Sequence, residues 1–217
     1  MTEEKSLYPS PYSLVKEFHE TYGQAIRTEP DLQVKEKQMR IELIVEEADE
    51  LKEANENDDF IEIVDALADL LYVTYGAVIT HGIDISEDFS NDVSPAYKVG
   101  DNLPLDFEVG LTPDINARNR YTVIGKVLDA AYSYGEASHS GSAKAVRAAS
   151  IKIIAAAYEA SLAFGVDIDD VLAEVQRSNM SKLGEDGLPI YREDGKVLKG
   201  PNFFVPDIKA ILAAQGW

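Results

Sequence analysis

The sequence predicts an all-α protein: a four-helix-bundle core made of two helical hairpins, followed by an irregular C-terminal tail with a hairpin turn. Apolar residues recur at helical spacing on both sides of a Pro- and Gly-containing connection, and the second helical stretch repeats the first at a fixed offset. We expect one domain over residues 1–217, divided into a first hairpin region, a linker, a second hairpin and the tail: residues 10–85, 91–117, 118–181 and 182–217.

The first predicted helix follows Ser10-Pro11 and ends at Gly23. Serine is a good N-cap, proline is favoured at the first helical position, and glycine ends helices well. His19 on this helix could touch a ligand, although a lone histidine on a helix is more often structural. After a loop, the second helix is expected to begin near Val34.

Residues 40–75 carry the strongest signal. They hold two amphipathic helices separated by Asn55-Glu56-Asn57, and the third helix is expected over 58–80 with Gly82 at its end. So short a connection makes the two helices antiparallel neighbours. Twelve carboxylates lie between Glu42 and Asp69, against a single Lys52.

Two carboxylate clusters stand out, Glu46, Glu47 and Glu50 on the first of these helices and Glu62, Asp65 and Asp69 on the second. Their spacing places each cluster on one flank of its helix, where like charges repel. A hard divalent cation such as Mg²⁺ would relieve that repulsion. The alternatives are two solvated faces and, for Glu62, a capping box with Asp59. Asp65 and Asp69 interrupt an apolar run, which favours a metal site.

The C-terminal half predicts helices over 118–136, 142–164, 167–181 and 206–215, and a turn at Asp194-Gly195. Shifting the chain by 83 residues places Gly82-Ile83-Asp84-Ile85 on Gly165-Val166-Asp167-Ile168. An internal duplication accounts for this match; chance similarity of two amphipathic hairpins is the alternative. The second hairpin is alanine-rich and lacks most of the carboxylates, so it is expected to be catalytically silent.

Bulk composition narrows the class of protein. A net charge of −19 argues against a nucleic-acid backbone as partner, and the absence of cysteine excludes disulfides and thiolate metal sites. No uncharged apolar run reaches the length of a membrane span, and the N-terminus does not resemble a signal peptide. We therefore expect a soluble, cytoplasmic protein with neither nucleic acid nor membrane as partner.

Glu46-Glu47-x-x-Glu50 followed by Glu62-x-x-Asp65 resembles the EExxE…ExxD signature of the all-α, MazG-like nucleoside triphosphate pyrophosphohydrolases, which include phosphoribosyl-ATP pyrophosphohydrolases and dimeric dUTPases. The resemblance implies that Glu47, Glu50, Glu62 and Asp65 hold Mg²⁺, with Mn²⁺ as a substitute, and that Glu46 orients or deprotonates the attacking water. It also implies a nucleotide substrate, and it is compatible with a homo-oligomer.

Three tail segments resemble those of a phage and bacterial branch of this superfamily: Ser178-Asn179-Met180-Ser181-Lys182, Gly195-Lys196-Val197 and Lys199-Gly200-Pro201-Asn202-Phe203-Phe204. This resemblance implies a protein of the cytoplasm of a bacterial or phage-infected cell. Among the members of that branch, it favours the phage-type MazZ enzymes, which act on dGTP. Asn179, Lys182, Lys196 and Lys199 are the candidate substrate-binding residues; a solvated basic tail is the alternative. Phosphoribosyl-ATP or dUTP hydrolysis is the first rival function, and a non-catalytic acidic helical module that binds a protein is the second.

Overall fold

In a computed structural model, the described residues are 10–85 and 117–217, with side chains from Arg120 onward in the second range. They form seven helices: α1 Pro11–Thr21, α2 Lys37–Glu56, α3 Phe60–His81, α4 Ala117–His139, α5 Ala143–Ala163, α6 Ile168–Asn179 and α7 Ile208–Ala214. No strand is present in these two ranges. The predicted all-α class is confirmed.

Local sequence signals set most helix ends. Pro11 opens α1, the Asp59 side chain accepts from the Glu62 N–H at the start of α3, and Gly82 ends α3 with φ +64°. The predicted start of α2 near Val34 is wrong. Val34 instead accepts a turn hydrogen bond from the Lys37 N–H, so the helix begins three residues later.

The four long helices form one bundle. α2 pairs with α3, and α4 pairs with α5; α2 then packs against α4 while α3 packs against α5. Each pair is joined by only three residues, so its members run antiparallel. The predicted bundle of two hairpins within one chain is confirmed.

The two hairpin turns correspond at the offset of 83 residues. Asp58 and Gly141 both have positive φ, +56° and +70°. The next residues, Asp59 and Ser142, are both N-caps whose side chains accept a backbone N–H three positions on. This correspondence supports an internal duplication, which remains a prediction. The proposed linker, 91–117, lies outside the described residues except for its last residue.

α3 forms the centre of the protein and contacts helices on several sides. It is long and apolar enough to cross a bilayer, but 83% of its apolar window is buried within the bundle. Burial of this kind is typical of the core helix of a soluble protein.

α1, α6 and the tail cover one side of α3. The Tyr22 hydroxyl donates to the carbonyl oxygens of Asn179 and Met180, and the Tyr191 hydroxyl donates to the Tyr22 carbonyl. The turn predicted at Asp194-Gly195 is present, closed by a single antiparallel bridge between Tyr191 and Val197. The tail is thereby folded back over the N-terminal helices.

Candidate active site

A cavity of about 330 Å³ lies between α1, α2, α3, α6 and the tail. The carboxylates that line it are Glu46, Glu47 and Glu50 from α2 and Asp65 and Asp69 from α3. Helical spacing aligns the members on each helix, and the antiparallel pairing of α2 with α3 brings the two sets together. The structure therefore gathers five of the six carboxylates in the two predicted clusters.

Glu62 is placed differently from the other predicted metal ligands. Its side chain is exposed and does not line the cavity. Its backbone N–H bonds to Asp59 Oδ1 at 3.2 Å, as expected of a helix cap. Its charge still reaches the cluster, because it raises the pKa of both Asp65 and Glu50. Its role as a ligand remains a prediction.

The more buried carboxylates of the cavity hold their protons more tightly than free carboxylates do. Burial, followed by the charges of Asp69 and Glu50, raises the pKa of Glu47 to about 9. Burial, followed by Asp69, raises the pKa of Asp65 to about 7, and burial raises that of Asp69 to about 6. Removal from water and mutual repulsion both disfavour the charged form. The cluster lacks enough positive charge of its own to keep every carboxylate ionised.

The donor set suits a hard cation. Glu47 Oε2 and Asp65 Oδ1 are buried and have no hydrogen-bond partner within residues 10–85 and 117–217. Buried oxygens without a partner are costly, and oxygen ligands are those that Mg²⁺ prefers. In the described ranges no three carboxylate or imidazole groups are already arranged to hold an ion. The residues fit a divalent cation by chemistry, and side-chain rotation would be needed to complete its coordination.

Positive charge comes from the other side of the cavity. Lys182, Lys196 and Lys199 line it together with Asn179, which is 8% exposed. Lys196 Nζ lies 2.7 and 2.9 Å from the two carboxylate oxygens of Glu46. Burial lowers the pKa of Lys182 while Asp69 opposes that shift. The four predicted substrate-binding residues are thus brought opposite the acidic cluster, and their function remains a prediction.

A third group lies at the end of the cavity away from the carboxylates. Arg40, His19 and Gln24 line it beside Gly76. Sequence reasoning considered His19 but missed Arg40 and Gln24. Little in the sequence marks Arg40 as a site residue, because it directly precedes the apolar run of α2. Only its burial, 6% exposed, reveals that it faces inward. Asp69 was recognised in the pattern but was not among the proposed ligands.

Comparisons with known proteins indicate the family of this chain. The family of phosphoribosyl-ATP pyrophosphohydrolases matches residues 15–92, which include both carboxylate clusters. A protein of Acanthamoeba polyphaga mimivirus, "Uncharacterized protein L479", is 30% identical over 183 residues, 79% of this chain and 70% of that protein. No solved structure matches significantly. From the family match and the all-helical bundle, the chain belongs to the superfamily of all-α, MazG-like nucleoside triphosphate pyrophosphohydrolases.

Proposed function

We propose that this protein is a Mg²⁺-dependent pyrophosphohydrolase that converts a nucleoside triphosphate and water into the nucleoside monophosphate and pyrophosphate. One observation carries the proposal: five carboxylates face three lysines and an asparagine across a single cavity. A bound cation would neutralise the carboxylates, and a bound polyphosphate would neutralise the lysines. A protein that merely presents an acidic surface has no use for this enclosed pairing.

The metal would be held by Glu47, Glu50 and Asp65, with Glu62 at the edge and Asp69 alongside. When bound, Mg²⁺ supplies charge neutralisation on the phosphates and a lower pKa for the attacking water, and Mn²⁺ can substitute. Lys182, Lys196 and Lys199 bind phosphate oxygens. Asn179 offers an amide to the sugar or base.

In the reaction, water adds to a phosphorus beside the oxygen that bridges the α- and β-phosphates. The bond from that phosphorus to the bridging oxygen breaks while the β–γ linkage stays intact, so the products are the nucleoside monophosphate and pyrophosphate. Glu46 accepts the proton that the water loses. Lys196 pairs with Glu46 in the structure, and a bound phosphate competes for this lysine. Binding of substrate therefore releases Glu46 to act as the base.

Three classes of substrate merit direct comparison. The tail's resemblance to the phage-type branch favours dGTP or GTP, whereas the match to phosphoribosyl-ATP pyrophosphohydrolases favours phosphoribosyl-ATP; a dUTPase-like preference is a further alternative. The chemistry at the α–β bridge is the same in each. Substrate preference is therefore tested separately from reaction type.

Product analysis tests the reaction. The protein is incubated with each NTP and dNTP, and with phosphoribosyl-ATP, in the presence of Mg²⁺, and the products are separated. We expect the monophosphate and pyrophosphate, without accumulation of diphosphate. Orthophosphate as the first product would indicate a different phosphohydrolase. No turnover of any nucleotide, together with no Mg²⁺ binding, would favour a non-catalytic module.

Two substitutions test the site. Glu50→Gln and Asp65→Asn each remove one charge from the cluster with little change of shape. We expect turnover to fall about a hundredfold or more, since even groups that only support a ligand matter tenfold to a hundredfold. Glu53→Gln is the matched control, because Glu53 is exposed on α2 and lies outside the cavity. Mg²⁺ binding by calorimetry and helicity by circular dichroism accompany the rates. Wild-type turnover in both site variants would exclude this assignment.

A further inference from the structure

The end of the cavity away from the carboxylates holds a buried guanidinium that forms no salt bridge within the described residues. Arg40 is 6% exposed, and Glu36, the carboxylate whose charge acts on it, is itself paired with Arg27 at 3.3 Å. Among the described residues its guanidinium makes hydrogen bonds only through Nη2, with Gln24 Oε1 at 3.3 Å and His19 Nε2 at 3.4 Å, both long. Its Nε is buried and has no partner. A buried guanidinium with unused donors is costly, so it calls for an acceptor that a ligand would bring.

Neighbouring groups hold the guanidinium in place. The ring of His19 is fixed by a 2.9 Å hydrogen bond between Nδ1 and the Ala25 carbonyl, and burial and Arg40 together lower its pKa to about 3. The neutral ring therefore presents Nε2 as an acceptor. Gln24 is anchored by donation from its Nε2 to the Gly195 carbonyl. A Cβ on Gly76 would lie 3.0 Å from Arg40 Nη1, so glycine makes room here.

The spacing suits the two ends of a nucleotide. Arg40 lies two helical turns before Glu47 on α2, and Gly76 lies two turns after Asp69 on α3, which puts the two levels about 10 Å apart. Between them the cavity is lined by apolar and aromatic side chains: Phe18, Leu43, Tyr72 and Val73. A phosphate chain at the carboxylate level would leave a flat, apolar base to enter this middle layer with its polar edge toward Arg40.

We propose that Arg40 reads the base and selects a 6-oxopurine, donating hydrogen bonds to O6 and N7. This proposal rests on the function proposed above and adds the group that sets its specificity. Arginine offers donors only. Guanine and hypoxanthine present two adjacent acceptors on this edge, whereas adenine places an amino donor beside N7. A bidentate contact of this kind discriminates between bases by roughly tenfold to a hundredfold.

Base analogues test this base recognition on the unmodified protein. Rates at low substrate concentration give kcat/KM for dGTP, dITP, 7-deaza-dGTP and dATP. We expect dGTP and dITP to agree within about threefold, since they share both acceptors. We expect 7-deaza-dGTP, which lacks only the N7 acceptor, to fall about tenfold, and dATP to fall further. Equal values for dGTP, 7-deaza-dGTP and dATP would overturn the proposal.

Arg40→Lys tests the residue itself, because lysine keeps the charge and loses the bidentate fork. We expect the ratio of dGTP to dATP to collapse to within about threefold, and the effect of the N7 deletion to disappear. Arg27→Lys is the control: Arg27 bonds to the Thr80 carbonyl and to Glu36 outside the cavity, so the ratios should be unchanged. Retention of the wild-type ratios in Arg40→Lys would overturn the assignment, as would their equal loss in Arg27→Lys.

Binding separates failure of this inference from failure of the proposed function. Calorimetry with dGMP, dIMP, 7-deaza-dGMP and dAMP needs no turnover. If the monophosphates bind in the order expected for the triphosphates but no triphosphate is hydrolysed, the role of Arg40 is supported and the proposed enzymatic activity is contradicted. Hydrolysis with no preference among these bases would support the proposed activity and contradict the role of Arg40. Preference for phosphoribosyl-ATP, with dGTP and dATP equal, would also overturn the proposal and would assign Arg40 to the added phosphate.

Discussion

At the scale of single residues, the carboxylates of the cavity are costly to keep charged. Glu47, Asp65 and Asp69 have each lost water and lie among other acids, so the pKa of each is raised. A folded protein that binds more protons than its unfolded chain loses stability as the pH rises through the interval between the two pKa values. The cluster therefore makes folding sensitive to pH when no cation is present.

Metal-free protein should lose stability between about pH 5 and pH 9, because the pKa of Glu47 is about 9 in the folded state and near 4.5 when unfolded. Glu47→Gln removes this titration. We expect the variant to be more stable than wild type at pH 9, by on the order of 2 kcal/mol, and nearly equal to it at pH 4. Urea unfolding in the presence of a chelator, at several pH values, measures the difference.

Two comparisons complete that experiment. Glu53→Gln should follow the wild-type pH dependence, because Glu53 is exposed and lies outside the cavity. Saturating Mg²⁺ should reduce the pH dependence of wild type, since a bound cation favours the ionised carboxylates. A Glu47→Gln profile parallel to wild type in chelator would show that Glu47 does not hold a proton in the folded protein.

At the scale of elements, the end of α3 is set by a close approach as well as by backbone conformation. Gly82 has φ +64°, and a Cβ there would lie 2.2 Å from the Glu29 carbonyl oxygen. Gly141 has a similar φ of +70°, but a Cβ there would meet no described atom within 4 Å. Substitution of these two glycines therefore separates the stability lost to a left-handed backbone from the stability lost to a steric clash.

We expect Gly141→Ala to cost about 1 kcal/mol through its backbone conformation alone. Gly82→Ala should cost at least ~1 kcal/mol more, since the added methyl also displaces the loop before α2. Chemical denaturation of both variants under the same conditions checks this. Equal losses would mean that the loop moves aside without cost.

The tail is the second element with a testable role. Lys196 reaches Glu46 from the turn at Asp194-Gly195, whereas Arg192 on the same turn pairs with Asp194 away from the cavity. We expect Lys196→Met to lower kcat/KM roughly tenfold or more, because the hydrogen bond from the lysine to a charged phosphate oxygen of the substrate is lost. Arg192→Met should remain within about twofold of wild type. Steady-state kinetics of both variants decide, and a matching loss in the two would point to general disruption of the tail.

At the scale of the whole molecule, one chain supplies both hairpins of its bundle. α4 and α5 cover α2 and α3 on the sides where a second chain would otherwise be needed. The second hairpin has Ala130, Ser133, Ala145 and Ala148 where the first has Glu47, Glu50, Glu62 and Asp65. If the second hairpin is a silent copy of the first, we expect one carboxylate cavity in the described part of each chain.

Binding stoichiometry tests this organisation. A nucleoside triphosphate analogue with a methylene group in place of the α–β bridging oxygen should bind once per chain in the presence of Mg²⁺, whatever the number of chains in the assembly. Calorimetry combined with mass measurement in solution gives both numbers. Half-occupancy, with one analogue for two chains, would mean that a site is shared between copies.

The sequence by itself determined the helices, most of their ends and the alignment of acids on each helix. These features depend on contacts within a few residues. Asp59 caps α3 through a neighbour three positions away, and Glu46 and Glu50 share a flank because a helix turns every 3.6 residues. The antiparallel pairing of α2 and α3 was also predictable, since three residues leave no room for another arrangement.

Only the tertiary structure decided which side chains meet across the cavity. Lys196 reaches Glu46 over 150 residues of chain, Arg40 turns inward toward His19, and Glu62 turns outward from its predicted partners. The spacing of residues within one helix contains no information about the rotation of that helix against its neighbours. That rotation is set by the packing of the whole apolar core, to which every helix contributes at once.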